Sequence, residues 1–208
     1  MSMYVQNVRR IARPGKFWSV IGKITEFIKA SDRPGVVSFT VSTPAQAESS
    51  ITSAITFDCI SDVEKFHDAF RENPDSTKSF DEIASDCTRV DISLLRIIEQ
   101  GSPPNTGDTP KYFARNFFIA KRGEAQNLLE AVSEFNSAMA SGTMQIAIPA
   151  AGNLDLVRAL AVVSSLEELE AWGDEATSDK FKANRQQISE LTVRASRNLS
   201  KVEYFKLP

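Results

Sequence analysis

The sequence predicts an α+β chain built from two tandem ferredoxin-like modules. Three observations predict it: the chain repeats itself at a fixed offset, both copies alternate helical and strand-like apolar patterns in the same order, and a turn-rich tract separates them. Tyr4, Ile11, Ala12 and Gly15 recur as Tyr112, Ile119, Ala120 and Gly123, each displaced by 112 − 4 = 108 positions. Repetition on this scale constrains architecture before it constrains chemistry, because each copy must be satisfied by one folding unit.

The elements follow in order. The stretches ending at Ala12 and Ala120 read as first strands. Val20, Ile21, Ile24 and Phe27 then map onto Leu128, Leu129, Val132 and Phe135 at the same offset, which is the spacing of one buried helix face. Val37, Phe39 and Val41 map onto Met144, Ile146 and Ile148 at 144 − 37 = 107, an alternation that reads as a strand, entered by a turn at Pro34-Gly35 in one copy and Gly142 in the other. Ala54 to Ile60 and Arg158 to Ser164 are β-like, although the second is equally compatible with the start of a helix. Ser61-Asp62-Val63-Glu64 and Ser165-Leu166-Glu167-Glu168 have the form of capping boxes opening the second helix of each copy. Helical stretches over Ser79 to about Val90 and Ser178 to about Asn198 precede final strands containing Leu95 and Ile97, and Val202 and Tyr204. The first module therefore spans 1–100, a linker 101–110, and the second module 111–208.

Strand, helix, strand, strand, helix, strand is the ferredoxin-like order, in which an antiparallel sheet carries both helices on one face. The other face needs a cover. Apolar residues at successive positions, as in Val36-Val37 and Phe117-Phe118, suit sheets buried on both sides, so the two copies are expected to face each other within one chain.

The segment Ile11-Ala12-Arg13-Pro14-Gly15-Lys16, repeated as Ile119-Ala120-Lys121-Arg122-Gly123-Glu124, resembles the strand-to-helix signature of the dimeric α+β barrel superfamily, which includes antibiotic biosynthesis monooxygenase-like and NIPSNAP-like proteins. Glu170 to Phe181 is similar to the aromatic, helix, Ser-x-x-Phe stretch of the monooxygenase-like family, and the first copy keeps Thr77-Lys78-Ser79-Phe80 of it. The resemblance implies an intramolecular barrel of two modules that other members assemble from two subunits. It also implies a small hydrophobic or aromatic ligand, and in some members oxygenation without metal or flavin. One departure is plain. Where that pattern carries histidine six positions before the Phe, this chain has Glu175 and Pro74, so no catalytic histidine carries over.

Composition bounds the rest. Net charge is −3 with a sequence pI near 5.4, which speaks against a nucleic-acid partner. The cluster Arg9, Arg10, Arg13 and Lys16 reads as a solvated strand edge and turn in preference to an anion site. Cys59 and Cys87 lack paired spacing and read as reduced thiols, and with no export signal or bilayer-length apolar run the expectation is a cytoplasmic protein without a membrane partner. No phosphate loop, nucleophile elbow, paired-cysteine zinc spacing or HExxH is present. His67, the single histidine, reads as a solvated or capping helix residue; it is a poor lone haem ligand, and no cofactor or metal is expected.

Two phases of the first strands remain open. One points Tyr112, Ala114, Asn116 and Phe118 into the barrel, with Gln6 and Arg10 as counterparts of Ala114 and Phe118; the other points Asn7, Arg9 and Arg115 inward. The first is preferred, because a phenol and an amide suit the orientation of a carbonyl or phenolic ligand. Trp18 and Trp172 read first as packing residues, with the resemblance favouring Trp172 as a pocket wall. The candidate ligand-binding set is therefore Tyr112, Asn116, Phe118, Arg10 and Trp172, with no residue assigned as a catalytic base. Because Asn116 and Trp172 have Val8 and Ala69 as their counterparts in the other copy, one pocket built mainly by the second copy is expected. Three functions follow: a cofactor-independent monooxygenase-like enzyme, a non-catalytic ligand-binding module, or a pseudo-dimer whose outer strand edges pair into homo-oligomers.

Overall fold

A computed structural model describes residues 3–44, 48–103 and 109–206, so part of the expected linker lies outside the described residues. The chain runs β1 (Tyr4–Ala12), α1 (Phe17–Ala30), β2 (Gly35–Ser42), β3 (Ile51–Phe57), α2 (Ile60–Glu72), α3 (Pro74–Ser85) and β4 (Cys87–Glu99). It continues as β5 (Tyr112–Ala120), α4 (Ala125–Ser137), β6 (Gln145–Pro149), β7 (Leu156–Val163), α5 (Leu166–Thr177), a 3-10 turn at Asp179–Phe181, α6 (Lys182–Leu191) and β8 (Thr192–Lys206). The eight strands form one closed antiparallel barrel in the order β1-β3-β2-β8-β5-β7-β6-β4.

Closure distinguishes this from two sheets merely facing each other. Two seams join the first four strands to the last four: β2 pairs with β8 from Gly35↔Lys206 to Ser42↔Leu199, and β4 pairs with β6 from Leu95↔Pro149 to Glu99↔Ile146. Every strand thus has a neighbour on both sides. The outer edges expected to support homo-oligomers by strand pairing are used up in closing the barrel.

Each helix is amphipathic and lies on the outer face of the barrel. Helix α1 buries Val20, Ile21, Ile24 and Ile28, and α4 buries Leu128, Ala131, Val132 and Phe135. The turn into each is made by a glycine with positive φ, Gly15 at 77° and Gly123 at 85°, a conformation that a side chain would strain. Ser165 caps α5 as expected, accepting from the Glu168 N–H at 3.0 Å, while Glu168 reaches back to the N–H of Ser164 at 2.7 Å. The other capping box is absent. Helix α2 begins at Ile60 with Cys59 at the cap, which places Ser61 inside the first turn with its Oγ 3.0 Å from Cys59 Sγ.

Strand boundaries also move. Asn73 caps α3, accepting from Asp75 N and Ser76 N, so Pro74 opens a helix that ends at Ser85, and Val90 belongs to β4. The stretch through Asn198 is helical only to Leu191, after which β8 begins. Leu156–Val163 is strand, which settles the ambiguous segment.

Three apolar clusters result. Two lie between the sheet and the helices, one under α1–α3 and the other under α4–α6. The third fills the barrel with Val5, Val36, Ala54, Leu95, Phe113 and Ala147, drawn from both sets of strands. The phase of the first strands is therefore the reverse of the one preferred from sequence. Val5, Asn7, Phe113 and Arg115 point into the barrel, whereas Tyr112, Ala114, Asn116 and Phe118 point outward beneath the helices. Inside the barrel, Arg115 donates to Ser200 Oγ at 2.7 Å and across the β2–β8 seam to Ser38 Oγ at 3.0 Å. Burial lowers its pKa to about 10; Arg158, buried beside it, is lowered to about 9 by desolvation and by the charge of Arg115.

Candidate functional site

A cavity of about 470 Å³ lies between the outer face of β5, β7 and β8 and the helices α4–α6. Its existence follows from small side chains. Ala114 and Ala161 on the sheet and Gly142, Gly173 and Ala176 above it leave a volume that Phe118, Val132, Phe135, Met139, Met144 and Trp172 enclose. Trp172 is 6% exposed, and it lies so close to Gly142 that a Cβ there would stand 2.4 Å from its Cζ2. Met144, just before β6, is set by Asn136 of α4, whose amide donates to the Met144 carbonyl at 2.9 Å and accepts from its N–H at 2.6 Å.

Polar groups enter from the sheet and the mouth. Asn116 is 7% exposed, and its Oδ1 accepts from Arg197 Nε at 2.6 Å. That bond turns Nδ2 away from Arg197, where its nearest acceptors, Ala159 O at 3.5 Å and Met144 Sδ at 3.6 Å, are distant enough to leave donor capacity for a ligand oxygen. Arg185, Arg194 and Arg197 are among the cavity's lining residues together with Thr177, Ser189 and Thr192, and among the described residues no aspartate, glutamate, histidine or cysteine is. Arg185 donates to Ala176 O at 2.7 Å and Ser178 O at 2.8 Å, fixing α6 to the negative end of α5.

Glu175 stands at the position where the resembling pattern has histidine, and it faces a loop. The Ser141 hydroxyl donates to its carboxylate at 2.6 Å, and the N–H groups of Ala140 and Ser141 add bonds of 2.7 and 2.8 Å. These donors, the Ser141 hydroxyl foremost, hold its pKa down to about 2. Lys180 lies 3.7 Å away. Glu175 thereby ties the Gly142 loop to α5, forming one wall of the cavity from outside it.

Of the residues singled out from sequence, Asn116, Phe118 and Trp172 meet in this cavity. They do so beneath the helices and outside the barrel. Tyr112 shares their face of β5 but packs against the neighbouring core and is not part of the cavity lining. Arg10 lies under the other helices, 4% exposed, bonded to Ser53 Oγ at 2.9 Å and 5.8 Å from the Phe80 ring centre. Burial lowers its pKa to about 10.

The corresponding space under α1–α3 is occupied. Gln6, the counterpart of Ala114, bonds His67 of α2 at 2.7 Å, and Phe57, Phe66, Phe70 and Phe80 follow one another at ring separations of 5.4 to 6.1 Å. On that side a groove of about 710 Å³ lies between the helices themselves, lined by Phe27, Phe66, Phe70 and Ile83 among others. Trp18 is 66% exposed and packs edge-on against Phe17 and Phe39. Among the described residues no group of three or more His, Cys, Asp or Glu side chains is placed to hold a metal ion, and no helix is long and apolar enough to cross a membrane.

Sequence reasoning missed the arginines. Arg194 and Arg197 fall in the stretch read as helix through Asn198; the register of β8 against β5 sets Arg197 directly opposite Asn116, and a register shift between Val202 and Tyr204 keeps alternation counted back from Tyr204 from revealing it.

No protein-family profile matches the chain, and no curated protein matches it by sequence. Solved structures do match. A candidate monooxygenase from Fusobacterium nucleatum aligns over 99% of this chain and 94% of its own, with a TM-score of 0.74 and 8% identity. One from Lactobacillus acidophilus NCFM aligns over 99% and 96% with a TM-score of 0.68 and 11% identity, and an anthrone oxidase-like protein over 99% and 92% with a TM-score of 0.67 and 12% identity. Chlorite dismutases are also among the similar structures. At such identities what the chain shares with them is the fold, an α+β barrel of eight antiparallel strands.

Proposed function

We propose that the chain is a monooxygenase-like α+β barrel that binds a small aromatic or hydrophobic molecule in the cavity beneath α4–α6. The observation that carries this reading is the cavity itself: an apolar enclosure with Trp172 as one wall and the Asn116 amide entering from the sheet. Concave, mostly apolar sites with a few convergent polar groups are where small molecules bind. The names of the structural neighbours, two candidate monooxygenases and an anthrone oxidase-like protein, favour this branch of the superfamily over the NIPSNAP-like one. In the same reading the barrel is a fusion of two ferredoxin-like modules, 1–100 and 111–208, whose second copy has kept the site.

The reaction that fits the lining is oxygenation of an ionised substrate. A carbanion or its enolate forms a C–O bond to dioxygen, giving a peroxide that takes up a proton and loses water to leave a ketone. Asn116 Nδ2 would hydrogen-bond the substrate oxygen, and the arginines would stabilise negative charge as it forms. With no carboxylate or imidazole in the lining, the substrate must bring an acidic C–H or O–H of its own. Oxygen consumption with hydroxylated polycyclic aromatics tests this. Turnover that disappears in Asn116→Ala and in Ala114→Leu, which fills the cavity, supports an enzyme.

A second reading, ligand binding without turnover, is favoured by Glu175. The position that carries histidine in the resembling pattern is engaged here in holding a loop. Saturable binding without oxygen uptake would select it.

A further inference from the structure

The cavity described above has a charge pattern that its apolar walls do not require. Arg185, Arg194 and Arg197 are among its lining residues, with Arg197 on the cavity face of β8 opposite Asn116, and among the described residues no carboxylate lines it. Nor do these arginines form an ion pair with any other described residue: the described ion pairs involve Arg9, Lys16, Lys23, Lys29, Lys65, Arg89 and Lys180. This occurs in a chain whose net charge is −3, with acidic side chains in excess. Arg185 is committed to the α5 carbonyls, but its charge remains at the cavity.

Arg197 is the most informative of the three. Its Nε is bound to Asn116 Oδ1, which fixes the plane of the guanidinium and leaves Nη1 and Nη2 outside that bond. Asn116 is buried at the base while Arg197 is exposed, so the pair runs from the apolar floor to the mouth. A planar guanidinium presents a fork that matches a carboxylate, and a cavity of one sign concentrates ligands of the other. We infer that the cavity takes an amphipathic organic anion, an aromatic or alicyclic ring system bearing a carboxylate, with the ring against Trp172 and the acid group at Arg197. This rests on the proposed small-molecule role of the cavity and adds the charge of the ligand.

The test is calorimetric titration of the full chain with a matched pair of probes, 2-naphthoate and 2-naphthylmethanol, which share a ring system and differ in charge. The expected result is that 2-naphthoate binds about tenfold more tightly, as a charge-assisted contact predicts. Arg197→Gln should bring the two affinities together by weakening the naphthoate alone, and Arg197→Lys should keep part of the preference. Equal affinities in the unaltered chain would overturn the anion reading while leaving the cavity as a binding site. Binding of neither probe, or binding that Ala114→Leu leaves unchanged, would overturn the cavity reading as well. A preference that persists in Arg197→Gln would place the anion elsewhere and also refute the assignment.

Discussion

Two side chains that line nothing decide the shape of the cavity. Asn136 is 1% exposed and exchanges two hydrogen bonds with the Met144 backbone, so Asn136→Ala should strand a buried N–H and C=O and lower stability by about 2 kcal/mol, measurable by urea unfolding. Glu175 makes a pH prediction with a definite sign. Its folded-state pKa, about 2, lies below the ordinary 4.5, so between these values the unfolded chain binds more protons than the folded one. The stabilisation is complete above pH 4.5 and disappears as pH falls toward 2. The thermal midpoint of the unaltered chain should therefore exceed that of Glu175→Gln at neutral pH and approach it in acid. Neither role was legible in the sequence. The absence of histidine at 175 was visible, but a carboxylate that gathers backbone N–H groups from residues 140 and 141 depends on a loop path that no local pattern encodes. Arg197 was hidden for a different reason: the polar run after Phe181 has no apolar alternation to mark where α6 ends and β8 begins.

Helices with a continuous apolar face were readable, and their ends were readable only where the cap is local. Ser165 and Glu168 act within one turn, and Ser165→Ala should lower stability by about 1 kcal/mol in thermal unfolding. Ser61 has the same spelling without the role, because α2 begins at Ile60. Spacing alone could not distinguish the two, since each serine is followed by glutamate three residues later. The turn before β6 shows what a glycine can contribute beyond flexibility. Gly142 has φ 144° and lies against Trp172, so Gly142→Ala should push the indole from its place; the measurement is a shift in Trp emission together with about 1 to 3 kcal/mol lost from overpacking. Sequence marked this glycine as a turn but not as the wall behind an aromatic.

At the scale of the molecule, element order was legible and the phase of the strands was not. Each strand of the barrel is apolar on both faces, one toward the other half and one toward the helices, so periodicity carries no preference between them. Tyr112, Asn116 and Phe118 were grouped correctly on one face by alternation alone, and only the partner of that face was reversed. The seams make a prediction too. They join parts of one chain, so closure of the barrel follows no mass action; the urea midpoint should be unchanged across about a hundredfold dilution, whereas a barrel assembled from separate subunits would lose stability.

The position of β8 in the barrel has a consequence for how the protein is made. Strand β8 lies between β5 and β2, pairing with β5 through residues 192–201 and with β2 through residues 199–206, and no other described strand fills that place. During synthesis β1 to β4 leave the ribosome first, and β2 then presents an open row of N–H and C=O groups until the end of β8 has emerged. For that interval the nascent chain carries the adhesive edge that the finished molecule lacks. Emergence of β8 is therefore the step at which it becomes safe from joining with its neighbours.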